Sequence, residues 1–270
     1  MKSVTLLLLF VFCFSLKALT VTSLNIQWYG RGGRIEGNRS DEYRQKRIKE
    51  FLTQEMPSSD VYAFQEVIEP ELIAKLVPHM ECHTYDVDNK RAQHIVLCAN
   101  PLIIVGKEVD EPTRLGRFGL RPGVILKVRG DDGGVVSVVG VHLKAGKNDT
   151  QTRLDQLKAL SVSPFLTEKT IIVGDFNNYD KVSTGLEQDD IGLMELLLNP
   201  EGFAKLDNKT ATYLGYNNRV FDWVWIKGLS STPVNVIGPC RQDSVRKPFK
   251  SYGFFKRFVS DHCALQVSVH

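Results

Sequence analysis

Cysteine is scarce, at five in 270 residues. None forms a CxxC pair, and no Cys/His group has zinc-ligand spacing, so a structural zinc site is not expected. No apolar run reaches the roughly 20 residues that cross a bilayer. Internal repeats, low-complexity tracts and Pro/Gly/Ser-rich linkers are missing too, which leaves a single domain. Neither sign of charge dominates: 34 Lys and Arg stand against 31 Asp and Glu, a net charge of +3. That mild basicity is compatible with a polyanionic partner but does not argue for one. What the chain does have is 43% hydrophobic and 24% charged residues, the balance of a globular protein with a real core.

Lys2 followed by the apolar residues 4–14, then Ser15 and Ala18, reads as a signal peptide over 1–18. The mature domain is then 19–270. An uncleaved anchor and a first core strand are the other readings of that run. Export would place the protein outside the cytoplasm, secreted or periplasmic. Cys82, Cys98, Cys240 and Cys263 would then meet an oxidising environment, where one or two disulfides are expected. Four cysteines allow three pairings, and buried free thiols are the alternative.

Residues 170–178 carry the strongest local signal. Ile171, Ile172 and Val173 predict a buried strand, and Gly174 ends it. Asp175 and Asn177 sit two apart, so in an extended chain they share a face. A carboxylate and an amide oxygen together suit a hard metal ion or a phosphoryl group. Ordinary turn chemistry after a strand is the plainer reading.

The same anomaly recurs. Asn25 interrupts a strand over 20–28, Glu66 closes one over 61–67, and His142 follows the apolar 135–141. Asp222 lies in a strand over 221–226, and Asp261 with His262 precedes a last strand over 263–269. Further strands are predicted at 94–98, 102–105 and 124–128, and helices at 41–56, 70–77, 149–160 and 191–198. A glutamate such as Glu66 costs several kcal/mol if buried without a partner, and either a cation or a basic side chain could serve. A lone histidine on an apolar strand is more often a satisfied core residue. Open sheets, however, collect their sites at strand ends. If these ends meet, the carboxylates need cations to share one pocket, and oxygen donors favour Mg²⁺, Mn²⁺ or Ca²⁺.

Ser23-Leu24-Asn25, Gln65-Glu66, Val141-His142-Leu143-Lys144, Gly174-Asp175-Phe176-Asn177, Asp222 and Ser260-Asp261-His262 follow one another as in the endonuclease/exonuclease/phosphatase superfamily. The chain resembles that DNase I-like family along nearly its whole mature length, and resembles its secreted, bacterial-type nucleases in particular. The resemblance implies a four-layer α/β/β/α sandwich, two mixed sheets with helices outside. It also implies a metal-dependent phosphodiester hydrolase. Glu66 would be the main metal ligand, with Asn25 and Asp261 nearby and Mg²⁺ as the ion. His262, oriented by Asp222, would take a proton from the attacking water. Asp175 would position that water or bind a second metal. Asn177 and His142 would hold phosphate oxygens, with His142 as a candidate acid for the leaving group. Arg121 would contact the phosphate.

The substrate is less constrained. Arginines at 31, 34, 39, 114, 117 and 121 favour a nucleic acid held by its phosphates, DNA first and RNA second. The alternative is a sphingomyelinase-type phospholipase C, or a phosphoinositide phosphatase. Residues 249–258 interleave aromatics with bases, and would then form a loop that enters a lipid surface. The same residues could equally stack on nucleobases. No obligate protein partner is expected.

Overall fold

The computed structural model describes residues 18–31, 41–85, 93–117, 119–179, 189–208, 210–214, 219–240 and 249–270. Apart from Ala18, the predicted signal peptide lies outside them, as do Arg34 and Arg39. The described residues hold twelve strands and five α-helices.

One sheet comprises β1 (Leu19–Tyr29), β2 (Val61–Val67), β3 (Glu81–His83), β4 (His94–Ala99), β11 (Asn235–Ile237) and β12 (Ala264–Val269), in the order β11-β12-β1-β2-β4-β3. The other comprises β5 (Ile104–Asp110), β6 (Gly123–Arg129), β7 (Val135–His142), β8 (Lys169–Asp175), β9 (Ala204–Lys205) and β10 (Asp222–Lys227), in the order β5-β6-β7-β8-β10-β9. Both sheets are mixed: β1 runs parallel to β2 and β7 to β8, and the other pairs are antiparallel.

The strands read as unbroken apolar runs because both of their faces are covered. Val138, Ile171, Val173 and Val224 point inward, into one core with Val21, Ala63, Leu97 and Leu265 of the facing sheet. The alternate residues Val139, Ile172 and Trp225 point outward. They pack against Leu157 and Leu160 of α3 (Thr150–Ser161) and Met194 and Leu198 of α4 (Asp190–Leu198). On the opposite flank, Ile48 of α1 (Asp41–Glu50), Ile73 and Leu76 of α2 (Ile73–Leu76) and Phe255 of α5 (Phe249–Phe258) join the core. This is the expected four-layer sandwich.

Local departures have local causes. The helix expected over 41–56 is α-helical only to Glu50, and Phe51–Glu55 continue as a wider π turn. The strand expected at 102–105 begins at Ile104, because Asn100 and Pro101 open a turn that leaves Leu102 exposed. Residues 249–258 form a helix, not a loop. Phe255 and Phe258 are buried, and among its described side chains Phe254 is the aromatic left open.

The four cysteines beyond residue 18 are all paired. Cys82–Cys98 joins register partners on β3 and β4, and Cys240–Cys263 joins the turn after β11 to the entry of β12.

The loop that follows β7 is fixed by a buried ion pair. Arg153 on α3 and Asp190 at the start of α4 touch, and both side chains are fully buried. Arg153 also donates to the carbonyls of Lys144 at 2.9 Å and Gly146 at 2.7 Å. Asp190 accepts from Thr150 Oγ1 at 2.6 Å and from the Tyr179 backbone at 2.9 Å. Two loops are thus tied to one pair. Removing one member leaves an uncompensated buried charge, so Arg153→Ala is expected to lower unfolding free energy by about 3–5 kcal/mol. Urea denaturation would measure it, and a loss below about 1 kcal/mol would show the pair to be dispensable.

Candidate active site

Strand register alone assembles half of the site. In the second sheet His142 at the end of β7 pairs with Asp175 at the end of β8, and Asp175 pairs with Asp222 at the start of β10. The facing sheet presents Asn25 on β1 and Glu66 on β2 at the same edge, and His262 just before β12. The β1–β2 register shifts between Asn25 and Tyr29. Glu66 there takes φ of +58°, and Gln27 and Trp28 take +45° and +54°. Such left-handed backbone at non-glycine residues costs of order 1–3 kcal/mol each and clusters at functional sites. It turns the Glu66 side chain out of the strand's alternation.

The side chains converge. His262 Nδ1 lies 2.8 Å from Asp222 Oδ2, and its Nε2 lies 3.9 Å from Asp175 Oδ2. Asn25 donates its amide to Asp175 Oδ2 at 3.0 Å. Its own Oδ1 accepts from the Gln27 backbone at 3.0 Å. Asn177, at φ +47°, donates its backbone N–H to Asp175 Oδ1 at 2.9 Å and its amide to the Leu143 carbonyl at 3.2 Å. Ser260 Oγ donates to the Asn25 carbonyl and accepts from the His262 N–H at 2.9 Å. The serine of the terminal motif therefore orients the histidine.

His142 Nε2 lies 3.6 Å from Asp175 and 3.8 Å from Glu66. Burial holds its pKa well below the usual range, and the charges of Arg121 and His262 add to this. The ring is therefore neutral, and those contacts are not ion pairs. Its Nδ1 is buried without a hydrogen-bond partner. A neutral imidazole is a good metal ligand, and Nε2 is the nitrogen that faces both carboxylates.

The carboxylates are under strain. Burial raises Asp175 to about 7, and the charges of Asp222 and Glu66 add to this while His262 opposes it. Burial likewise raises Glu66 and Asp261. His262 moves the other way from its own burial. Desolvation lowers it, but the charge and hydrogen bond of Asp222, with the charges of Asp175 and Asp261, bring it up to about 10.

Ligand atoms of Glu66, His142 and Asp175 all lie within 4.8 Å of one another. Two carboxylates raised by burial and one neutral imidazole make a donor set that suits a divalent cation. Of the ligands expected from sequence, Glu66 belongs to this trio. Asn25 bonds one of its carboxylates, Asp175, and the charge of the half-buried Asp261 raises Glu66. Arg121 is half-buried behind His142, donating to Gln93 and, at 3.5 Å, to the His142 carbonyl.

Sequence reasoning singles out Thr212-Tyr213 but not the aromatic wall that Tyr213 joins beside His262. Tyr213 lies 5.0 Å from the His262 ring and 5.0 Å from Phe221, and Phe221 lies 5.8 Å from Tyr179. The Arg219 guanidinium sits 4.8 Å over Tyr179. In the sequence Thr212-Tyr213 shows only as a pairing that resembles the family's upstream of Asp222, and a strand reading assigns Phe221 to the core.

No family model and no curated protein matches the chain. Solved structures do. TDP2 of D. rerio, complexed with a single-strand DNA product, is 16% identical with a TM-score of 0.67, covering 93% of this chain and 98% of its own. The human Nocturnin catalytic domain with bound sulfate is 16% identical with a TM-score of 0.61, and the match spans 94% of each chain. An endonuclease/exonuclease/phosphatase family protein of Bacteroides thetaiotaomicron is 15% identical with a TM-score of 0.60, over 95% of this chain and 98% of its own. At such identities the likeness is one of fold: this chain has the DNase I-like sandwich of the endonuclease/exonuclease/phosphatase superfamily.

Proposed function

We propose that this chain is a divalent-metal-dependent phosphodiesterase that hydrolyses nucleic acid, acting on DNA as an endonuclease. The observation that carries the reading is the convergence of Glu66, His142, Asp175 and the His262–Asp222 pair at one edge of both sheets. Glu66, His142 and Asp175 would hold the cation, with Mg²⁺ favoured by the carboxylates and Mn²⁺ or Ca²⁺ as substitutes. When bound, the ion offsets the carboxylate charge and polarises a phosphoryl oxygen.

The chain's own groups do the rest. Asp222 keeps Nδ1 of His262 protonated, so that once Nε2 has given up its own proton it can take one from water. Asp175, 3.9 Å from that nitrogen, can hold the same water. Asn25, Asn177 and Ser260 lock these groups in place, and Arg121 supplies a cation for the phosphate. A nucleic acid is favoured because Tyr213 and Arg219 line the site with surfaces on which bases stack. The DNA product bound by D. rerio TDP2 supports the same class. The two disulfides support an exported, secreted or periplasmic protein, with residues 1–18 as its signal peptide. No helix among the described residues is long and apolar enough to cross a membrane.

His262→Gln tests the role of the histidine, because glutamine keeps a donor for Asp222 but removes the base. It is expected to lower kcat by about 10²–10⁴. The pH–rate profile of the native chain should rise with pH as His262 loses its proton. Asp222→Asn should move that acid limb to lower pH, since Asp222 is the chief group holding His262 up. Unchanged turnover in His262→Gln, measured on single-stranded DNA, would remove the histidine from the chemistry.

A further inference from the structure

The second disulfide sits against the site. Cys263 follows His262 directly in the chain, and its link to Cys240 closes a loop of sequence separation 23 that contains α5 and His262. Both cysteines are buried. Between this loop and β10 runs the short segment 212–214, and it is bonded on both sides. On one side the Cys263 N–H donates to the Thr212 carbonyl at 2.8 Å and the Leu214 N–H to the Asp261 carbonyl at 2.7 Å. On the other, Thr212 Oγ1 accepts the backbone N–H groups of Phe221 and Asp222, each at 3.0 Å. Cys240 Sγ rests 3.4 Å from the Thr212 carbonyl oxygen, and the Cys240 N–H lies 3.1 Å from Cys263 Sγ. One fully buried threonine thus ties the backbone beside His262 to the backbone of Asp222, and the disulfide closes that arrangement from behind.

We propose that the Cys240–Cys263 disulfide and Thr212 are positioning elements of the His262–Asp222 pair, so that full turnover requires the oxidised chain. The catalytic part of this rests on the phosphodiesterase reading above. Reduction is a two-electron step: an external dithiol becomes a disulfide, and each of the two sulfurs leaves as a thiol. The segment carrying His262 then keeps its hydrogen bonds and the packing of Phe255 and Val259, but loses its covalent tie to the turn after β11. Displacement of a catalytic group by about 1 Å costs on the order of 100-fold in rate. Cys82–Cys98 has no such role, because it joins neighbours already paired in the β3–β4 ladder.

Two independent measurements decide it. In steady-state hydrolysis of bis(4-nitrophenyl) phosphate, the Cys240→Ser/Cys263→Ser chain should lose about 10- to 100-fold in kcat with KM within about twofold. The Cys82→Ser/Cys98→Ser chain should keep its kcat. Should the first variant not fold, the native chain reduced with dithiothreitol, its free thiols counted by mass, should show the same loss and regain activity on reoxidation. The second measurement needs no substrate: the Nδ1 proton that His262 shares with Asp222 should give a protected downfield NMR resonance that disappears when Cys240–Cys263 is reduced. Native kcat without this disulfide, or an unchanged resonance after its reduction, overturns the proposal. A native chain with no hydrolytic activity would overturn the phosphodiesterase reading instead, and the resonance alone would then decide the positioning claim.

Discussion

Gly174→Ala is expected to destabilise the native fold severely, and to lower activity with it. Gly174 takes φ of +147°, a region that side-chain-bearing residues rarely adopt. A Cβ there would lie 2.0 Å from the Val141 carbonyl oxygen. That oxygen belongs to the neighbouring strand of the same sheet, so no side-chain rotation relieves the clash. The parallel ladder that sets His142 opposite Asp175 would have to open. A loss on the order of 4 kcal/mol or more follows, the scale of the most damaging single substitutions. Gly133 in the β6–β7 hairpin is the control. It also has positive φ, +77°, but a Cβ there meets nothing within 4 Å. Gly133→Ala should cost about 1 kcal/mol. Paired denaturation curves would check both, and equal midpoints for the two variants would contradict this account of the Gly174 turn.

Asp175→Asn is expected to separate activity from stability. Burial raises the folded-state pKa of Asp175 to about 7, against an ordinary value of 3.8. The folded chain therefore holds this proton more tightly than the unfolded chain does. The sign follows: as pH rises from about 4 to about 7, the unfolded state gives up the proton first, and ionising Asp175 lowers stability. Without a cation, the native chain should lose stability across that window by on the order of a few kcal/mol. An asparagine side chain has no such proton to lose, so the variant should show no such fall in stability across the window in chelator, although its amide nitrogen must face the Asn25 amide or the Asn177 N–H, which Asp175 meets with acceptors. Its kcat should nevertheless fall by at least about 100-fold, since a ligand of the metal trio and the carboxylate facing His262 Nε2 are both gone. A variant whose stability still falls between about pH 4 and pH 7 as the native chain's does would show that Asp175 is not the group responsible.

Much of this site was legible in the sequence because strands enforce it. A run such as Ile171-Ile172-Val173 has to be buried, so a carboxylate two residues later stands at a sheet edge. His142 and Asp222 carry the same mark. What did not show was whatever depends on partners distant in sequence. Cys82 and Cys98 pair because they face each other across β3 and β4, and β3 is only three residues long, too short to announce itself. Arg153 and Asp190 sit in helices where charges usually face water, and only the packing of α3 on α4 buries them. The left-handed turn at Glu66 has no glycine to signal it. Residues 249–258 read as a loop because Gly253 and alternating bases obscure a helical face that Phe255 and Phe258 provide.

The most direct measurement incubates the purified chain with a labelled single-stranded DNA and with supercoiled plasmid, in Mg²⁺ and in excess EDTA, beside Asp175→Asn. Cleavage in Mg²⁺ that stops in chelator, returns with added Mg²⁺ and is lost in the variant is the predicted result. Cleavage undiminished by EDTA, or equal cleavage by Asp175→Asn, would contradict a metal-dependent phosphodiesterase at this site.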